Sequence, residues 1–328
     1  MFTIVGGSGF IGTRLCALLD ERGLDFEIVD LKPSGRFPEK TKIADIRDKD
    51  ALRGAVNGSA IVNLAAVHRD DVRDRSLYYT TNVDGTRNIC EVATEKGITT
   101  IVFTSTVAVY GFAAPETDEG GTLNPFNDYG RSKLQGEEVL RDWYGTGEGG
   151  KTLAILRPTV VFGEGNRGNV YNLLKQIAGG RFVMVGRGEN RKSMAYVGNV
   201  AAYLLHAATR AEGMSLVNYV DKPDFTMNAL VRKVRKTLKG RDDVGPRLPY
   251  GLGLTLGYIA DVVARVTGRS LPISSIRVKK FCATTSFASA AHAQDGFTAP
   301  FTLEEGLTRT LDAEFLNPDP AREIFFTE

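Results

Sequence analysis

FTIVGGSGFIG, residues 2–12, is the stretch that decides the fold of this chain. Its first four residues predict a short buried strand, and the glycines that follow predict a tight turn into a helix. Glycine at positions 6, 9 and 12 lets the backbone approach a diphosphate, whose charge is stabilised by the free N–H groups at a helix N-terminus. We therefore predict a dinucleotide-binding loop made by Gly6, Gly9, Phe10, Ile11 and Gly12.

A carboxylate at the end of the next strand indicates which dinucleotide binds. Phe26 to Val29 predict the strand, and Asp30 follows it eighteen residues after Gly12. A carboxylate there accepts hydrogen bonds from an adenosine ribose and repels a 2′-phosphate, which favours NAD over NADP. NADP stays open as the alternative because three cations are close in sequence, namely Arg14, Lys32 and Arg36.

Two further polar positions follow predicted strands. Asp45 could meet the adenine edge of the cofactor, or it could cap its own turn. His68 comes after the apolar stretch Ile61 to Ala66, and ligands of doubly wound sheets bind beyond the carboxyl ends of the strands. We interpret His68 either as part of the active cleft or as an ordinary surface histidine.

Strands and helices alternate through the first half of the chain. A strand over Thr99 to Thr104 lies between predicted helices over Tyr79 to Lys96 and Asp128 to Trp143. This alternation predicts an α/β fold with a doubly wound parallel sheet covered on both faces. Glycine-rich loops then mark a smaller, interleaved C-terminal substrate-binding lobe. We predict a dinucleotide-binding domain over 1–163, to which 192–220 returns through a strand over Met194 to Val197, and a lobe formed by 164–191 and 221–328.

Composition excludes several classes of partner. The 41 basic and 39 acidic residues nearly balance, so no global field attracts nucleic acid. Three scattered cysteines and three isolated histidines, His68, His206 and His292, predict neither a disulfide framework nor a metal site. No segment reaches the roughly 18 apolar residues of a membrane span. No export signal precedes the first strand, so we expect a cytoplasmic protein.

Two helices of the second lobe have unusual surfaces. Thr226 is expected to cap the first, which ends at Gly240, and its polar face is basic through Arg232, Lys233, Arg235, Lys236 and Lys239. That face is either solvated or in contact with anionic lipid. The second helix, Leu252 to Val266, is broadly apolar, which favours a core position, with peripheral contact to an anionic membrane as the alternative.

Two stretches supply the candidate catalytic groups. If Tyr129-Gly130-Arg131-Ser132-Lys133 is helical, Tyr129 and Lys133 share one face, and the ammonium favours the phenolate form of the tyrosine. Three hydroxyls, from Thr104, Ser105 and Thr106, end the preceding strand, where one could bind a reacting oxygen. Each stretch alone is common in proteins. Their order after a glycine loop is specific.

With these residues the chain resembles the extended short-chain dehydrogenase/reductases, in particular their sugar epimerase and dehydratase branch, which has a Rossmann-like sheet. The resemblance runs over essentially the whole chain through GGSGFIG at 6–12, Asp30, ADI at 44–46, NLAA at 63–66, NVDGTRN at 82–88, TSTVAVYG at 104–111, YGRSK at 129–133, LRPTVVFG at 156–163 and YVGNV at 196–200. It implies that Tyr129 is the base, that Lys133 holds the nicotinamide ribose, and that Thr106 binds the sugar oxygen with Ser105 beside it. It also implies NAD contacts from Asp45, Ile46, Leu64, Ala65 and Ala66.

The same resemblance narrows the reaction. The 4,6-dehydratases of this branch place an Asp-Glu pair directly after the catalytic Thr, whereas this chain has Val107 and Ala108, so dehydration is not expected. More narrowly, AAVHRDD at 65–71, NRGNVYNLLKQIAGG at 166–180, KSMAYVGN at 192–199 and RVKKFCATT at 277–285 are similar to 4-epimerases of undecaprenyl-diphosphate-linked N-acetylglucosamine. This implies NAD-dependent C4 epimerisation of a lipid- or UDP-linked N-acetylhexosamine in surface polysaccharide synthesis.

Two other functions remain open at this point. A 4-keto sugar reductase needs the same three residues but consumes external NAD(P)H, and a non-catalytic dinucleotide-binding regulator would turn over nothing. For the substrate diphosphate, Arg167 and Lys192 are the best-placed cations, unless they are solvated surface charges. The resemblance also implies a homodimer packed through the helices over Tyr79 to Lys96 and Asp128 to Trp143.

Overall fold

The computed structural model describes residues 1–69, 72–146, 149–210, 212–268, 274–289 and 296–327. Asp70 and Asp71 of the AAVHRDD stretch, together with His292, lie outside the described residues. The strands are β1 (Phe2–Val5), β2 (Phe26–Asp30), β3 (Thr41–Ile43), β4 (Ala60–Asn63), β5 (Thr100–Thr104), β6 (Thr152–Pro158), β7 (Val160–Phe162), β8 (Met184–Val185), β9 (Arg191–Lys192), β10 (Met194–Tyr196), β11 (Gly213–Tyr219), β12 (Phe225–Thr226) and β13 (Arg247–Leu248). The α-helices are α1 (Phe10–Glu21), α2 (Lys49–Ala55), α3 (Ser76–Tyr79), α4 (Gly85–Glu95), α5 (Asp128–Gly145), α6 (Asn169–Ala178), α7 (Val197–Ala208), α8 (Met227–Lys239), α9 (Tyr250–Thr267), α10 (Ser275–Cys282) and α11 (Leu303–Leu311).

Seven strands form the central sheet in the order β11-β6-β5-β4-β1-β2-β3, and every neighbouring pair is parallel. The predicted α/β, Rossmann-like fold is confirmed. The winding reverses between β1 and β4, and at such a point the carboxyl ends of parallel strands leave a crevice for a ligand. The glycine loop and the ends of β4 and β5 therefore border one cleft.

Alternation along the strands explains why helices cover both faces of the sheet. Neighbouring residues Ile4 and Val5 of β1 point to opposite faces, and both are completely buried. On one face Ile4 shares a core cluster with residues of α1 and α7. On the other face Val5 shares a cluster with residues of α2, α4 and α5. A third cluster, which includes residues of α6, α8 and α11, forms the core of the C-terminal part.

Two predicted elements differ from the structure. The single helix expected over Tyr79 to Lys96 is α3 and α4 joined by a π-helical turn, Thr80–Asp84. A strand was expected over Met194 to Val197, and it was expected to pair with the central sheet. The predicted pairing is wrong, because β10 pairs with β7 in a separate two-stranded sheet. The seventh strand of the central sheet is β11, which pairs with β6. The division into two domains remains a prediction.

Helix α8 begins and ends where the sequence indicated. The Thr226 hydroxyl accepts a hydrogen bond from the Ala229 N–H at 3.1 Å, which caps the helix N-terminus. Gly240 ends the helix with a left-handed conformation, φ 66°, that glycine adopts without a steric penalty. These local signals are strong enough to set both ends of the helix.

Helix α9 packs against the protein through glycines and not through its large apolar side chains. Its buried residues are Gly253 and Gly257, where a Cβ would lie 2.6 Å from Val185 Cγ1 and 2.8 Å from Ser275 Cα. The outward apolar side chains are Leu252, Leu256, Tyr258, Ile259, Val262, Val263 and Val266. The favoured core position is therefore wrong, because the close glycine contacts leave the bulky side chains in solvent. Within the described ranges, no helix is long and apolar enough to cross a membrane.

Candidate active site

The glycine loop forms a cradle that side chains would fill. Gly6 has φ +80°, and a Cβ there would lie 2.6 Å from Ala65 N, while a Cβ on Gly12 would lie 2.5 Å from Gly7 Cα. Gly9 precedes α1 without a side-chain cap, so the first N–H groups of the helix are not capped by their own N-cap residue. These groups fit a diphosphate, and the absence of Cβ atoms lets it approach the backbone.

Asp30 lies beside this loop, as the sequence predicts for a ribose ligand. Its carboxylate accepts hydrogen bonds from the Ser8 N–H at 2.9 Å and the Leu31 N–H at 2.7 Å. Asp45 makes the turn that was its alternative role, because its Oδ1 accepts from the Arg47 N–H at 2.9 Å. Its carboxylate also pairs with the Arg47 guanidinium. An adenine contact by Asp45 therefore remains a prediction.

We expect Asp30→Ala to weaken NAD binding and to relax the discrimination against NADP. The carboxylate accepts hydrogen bonds from the ribose and repels a 2′-phosphate, so its removal affects the two cofactors in opposite directions. Titration of both cofactors by intrinsic fluorescence measures the two dissociation constants. An unchanged ratio of these constants would show that Asp30 does not contact the ribose.

Thr106 follows β5 and begins a 3₁₀ turn over Val107–Tyr110. Its Oγ1 accepts a hydrogen bond from the Ala108 N–H at 3.1 Å. Because a hydroxyl has one hydrogen to donate, this bond orients Oγ1 and leaves the hydrogen for an incoming oxygen atom. The side chain is mostly buried, with 9% of its residue surface exposed at the edge of the cleft.

Tyr129 lies in the first turn of α5, which packs directly on the turn that carries Thr106. The contact is close because Gly130 has no side chain, and a Cβ there would lie 2.8 Å from the Ala108 carbonyl oxygen. Asn127 fixes the start of the helix by accepting the Gly130 N–H at 2.9 Å. The two elements expected to carry the reaction therefore meet at the carboxyl edge of the sheet.

Lys133 lies one turn after Tyr129 and is almost completely buried. Its Nζ lies 4.0 Å from the ring centroid of Phe103, a cation–π contact on β5. Burial lowers the pKa of Lys133 to about 7, and the negative charge of Glu137 opposes this shift. Its ammonium can therefore hold or release a proton near neutral pH, which suits a group that supports a phenolate.

A buried network behind α5 was not predicted from the sequence. Arg157 donates two hydrogen bonds to Glu137, from Nε at 2.8 Å and from Nη2 at 2.6 Å, and Nη1 donates to the Tyr110 hydroxyl at 2.7 Å. Ser105 donates to Glu137 Oε1 at 2.5 Å and is 2% exposed. The Ser105 hydroxyl is therefore engaged as a donor within this network, and its expected contact with substrate remains a prediction.

Asn82, in the π-helical turn, joins the loop after β4 to α5 through side-chain hydrogen bonds. Its side chain accepts the Val67 N–H and donates to the Val67 carbonyl, both at 2.9 Å, and it also donates to the Ser132 hydroxyl at 2.9 Å. His68 follows this fixed point. The surrounding protein lowers the pKa of His68 by limiting the hydration of its ring, and the charge of Lys133 lowers it further. The His68 side chain is exposed, and its place in the active cleft remains a prediction.

The two candidate diphosphate ligands have different surroundings. Arg167 forms an ion pair with Glu314 at 2.7 Å, and its guanidinium lies 4.0 Å from the ring centroid of Tyr171. A contact between Arg167 and substrate would have to compete with this ion pair, which favours a structural role. Lys192 donates to the Lys280 carbonyl at 2.9 Å and to the Thr285 hydroxyl at 3.1 Å, both uncharged partners. Lys192 is therefore a better candidate than Arg167 for binding the substrate diphosphate.

Residues 2–218 match the NAD dependent epimerase/dehydratase family, and the chain belongs to that family. It is 50% identical over 329 residues to N-acetyl-alpha-D-glucosaminyl-diphospho-ditrans,octacis-undecaprenol 4-epimerase of Escherichia coli O157:H7, across 99% of this chain and 98% of that protein.

Two solved structures share the fold. UDP-N-acetylglucosamine 4-epimerase from Bacillus cereus superposes with a TM-score of 0.75 at 16% identity, covering 99% of both chains. UDP-glucose 4-epimerase from Thermus thermophilus, in complex with NAD, superposes with a TM-score of 0.70 at 20% identity, covering 95% of this chain and 97% of that one. NAD is the cofactor of the family, and the cradle at Gly6 and Gly12 with the uncapped start of α1 fits it.

Proposed function

We propose that this protein is an NAD-dependent epimerase at C4 of a diphosphate-linked N-acetylhexosamine, and that its carrier is undecaprenyl diphosphate. The observation that carries the proposal is the meeting of Thr106 and the Tyr129–Lys133 helix turn at the sheet edge that also holds the glycine loop. Val107 and Ala108 follow Thr106 and have no ionisable groups for dehydration. The 50% identity to the lipid-linked sugar epimerase of Escherichia coli supports the substrate class.

Each residue has a distinct part in the proposed reaction. NAD bound at the glycine loop supplies a reversible acceptor for the hydrogen on C4. Tyr129, as a phenolate, takes the proton of the C4 hydroxyl, and the buried ammonium of Lys133 stabilises the phenolate. Thr106 donates its free hydrogen to the C4 oxygen. After the 4-keto sugar presents its other face, C4 would regain its hydrogen from the cofactor and Tyr129 would return the proton to the C4 oxygen, so no net oxidation occurs.

Incubation with N-acetylglucosamine linked to undecaprenyl diphosphate, and separately to UDP, tests the function. Chromatographic separation of the released sugars should show N-acetylgalactosamine from the lipid-linked substrate, without accumulation of NADH. Stoichiometric consumption of NADH with a 4-keto sugar would instead support the reductase. Absence of turnover with every activated sugar would support the regulator.

We infer that the outward face of α9 meets the inner surface of the membrane that holds such a lipid. The neighbouring exposed cations belong to α10, where Arg277, Lys279 and Lys280 are exposed and Lys279 Nζ lies 5.4 Å from the Tyr258 ring centroid of α9. The basic residues of α8 are less suited to this role, because three of them pair with carboxylates: Lys233 with Glu304, Arg235 with Asp243 and Lys236 with Asp242. An apolar helix face flanked by cations is typical of peripheral binding to anionic lipid.

We expect the protein to bind anionic vesicles in a salt-sensitive way and to bind neutral vesicles much less. Lys279→Gln should weaken binding about five-fold, the typical effect of one cation near an anionic surface. Lys236→Gln, which removes a charge already paired on α8, is the matched control. Co-sedimentation with phosphatidylglycerol vesicles measures both, and equal effects of the two substitutions would contradict the assigned face.

We also propose a homodimer through α4 and α5, on the inner face of the cell membrane. The two helices pack side by side, and the Trp143 indole donates to the Thr94 hydroxyl at 3.2 Å. Residues of both helices line an open groove that includes Cys90, Val139 and Trp143. A groove of this kind suits a helix pair from a second copy of the chain, and sedimentation equilibrium measures the oligomeric state.

A further inference from the structure

Two exposed phenylalanines flank the candidate active site. Phe112 is 80% exposed and Phe126 is 48% exposed, and their rings stack with centroids 4.8 Å apart and planes 19° apart. Phe112 follows Thr106 by six residues, and Phe126 precedes Tyr129 by three. A stacked aromatic pair in solvent beside a reaction centre is an apolar surface available to a ligand.

The pair is held in place by its backbone. The Asn124 N–H donates to the Val109 carbonyl at 3.0 Å, which joins the segment before Phe126 to the turn that begins at Thr106. Arg131 of α5 donates to the Phe126 carbonyl at 3.0 Å. Because both rings are attached to fixed segments, the surface is formed before any ligand binds, and little ordering entropy opposes binding.

Two cations are linked to this pair through α10. Lys280 Nζ lies 5.9 Å from the ring centroid of Phe126. Lys192 of β9 donates to the main-chain carbonyl of Lys280 at 2.9 Å, so Lys192 contacts α10, the helix that carries Lys280. Paired cations are suited to a diphosphate, which carries more than one negative charge.

We propose that the Phe112–Phe126 pair binds the first isoprene units of a polyprenyl diphosphate sugar, with Lys192 and Lys280 at the diphosphate. This inference rests on the proposed function. The substrate consists of a sugar, a diphosphate and an apolar chain in that order. On the protein, Lys280 lies beside the aromatic pair, and the pair is joined to the segments that carry Thr106 and Tyr129. The Tyr258–Lys279 contact joins α10 to the apolar face of α9, so the chain passes from the aromatic pair toward the bilayer.

The test compares kcat/KM for the undecaprenyl-linked and the UDP-linked sugar in detergent, where binding to a bilayer does not contribute. Phe112→Ser/Phe126→Ser should lower kcat/KM for the undecaprenyl-linked sugar at least about ten-fold, as expected when a buried aromatic contact is lost. The loss should be confined to that substrate. Met214→Ser, which removes an exposed apolar side chain from the amino end of β11, is the control. It should change kcat/KM for neither the undecaprenyl-linked nor the UDP-linked sugar.

A second variant distinguishes recognition of the diphosphate from recognition of the polyprenyl chain. Lys192→Gln should raise KM for the UDP-linked and undecaprenyl-linked sugars alike, because both contain a diphosphate, and should leave NAD affinity unchanged. Equal losses with both carriers in the double phenylalanine variant, or no loss with the undecaprenyl-linked sugar, would overturn the inference while the epimerase function stands. If the unmodified protein converts only the UDP-linked sugar, both the lipid carrier and this inference fail, and if it converts neither, the epimerase function fails as well.

Discussion

Tyr129→Phe should lower the rate of epimerisation at least about 10²-fold, the usual effect of losing a general base. The substitution removes one oxygen atom, and among the described residues no other side chain at this edge of the sheet combines a phenol with a buried ammonium one helical turn away. Thr106 accepts a hydrogen bond from the Ala108 N–H and still has its own hydrogen to donate. It cannot replace the phenolate as a base at neutral pH. Epimer separation under single-turnover conditions measures the loss directly.

The control for this substitution lies on the same helix. Tyr144→Phe changes the same chemical group near the far end of α5 and should leave the rate unchanged. NAD binding should survive in both variants, since the glycine loop and Asp30 belong to other elements. Near-normal epimerisation in the Tyr129 variant would refute the mechanism. Loss of NAD binding would show that the substitution had altered the fold around the cofactor instead.

The central sheet could be predicted from the sequence because its signals are local. The apolar run of β1, the glycines after it and the acid that ends β2 are each read within a few residues. Helix caps are also local signals in the sequence, as Thr226 and Gly240 show at the two ends of α8. The partner of β10 could not be predicted in this way, because an apolar three-residue strand fits a small sheet with β7 as well as it fits the central sheet.

The candidate catalytic residues Thr106, Tyr129 and Lys133 came from the resemblance to a family whose stretches they match, and their roles remain predictions. The buried hydrogen-bond network behind these residues could not be predicted from the sequence. Glu137 follows Lys133 by one helical turn, but its partner Arg157 lies on β6, and no local pattern joins the two residues. Ser105 shows the consequence, because a hydroxyl beside Thr106 looks available in sequence and is bonded to Glu137 in the structure.

Helix α9 illustrates a limit of hydrophobic periodicity. Its apolar residues predict that one face is buried, but they do not tell whether protein or lipid covers that face. The glycines at 253 and 257 decide the outcome by allowing Val185 and Ser275 to approach the helix on the opposite side. Their spacing of four residues was visible in the sequence, and small residues so spaced are a known means of close helix packing.

Removing Arg157 should destabilise the protein more than any substitution of a surface charge. The Arg157 and Glu137 side chains are almost completely buried, and they form a two-pronged ion pair. Arg157→Met fits a similar volume but leaves the Glu137 carboxylate with Ser105 and the more distant Arg141 as partners. An uncompensated buried charge costs about 3–5 kcal/mol of unfolding free energy. Urea denaturation followed by circular dichroism measures this difference.

The double variant Arg157→Met/Glu137→Leu distinguishes the charge from the packing. Both charges are then absent, so the protein should recover part of the stability lost in Arg157→Met, although the Tyr110 and Ser105 hydroxyls lose a partner. Arg53→Met, which breaks exposed ion pairs with Asp50 and Glu95, is the control and should change the urea midpoint little. If the double variant were less stable than Arg157→Met by the full effect of Glu137→Leu alone, the two side chains would not be coupled. The network would then stabilise the fold by packing and not by charge.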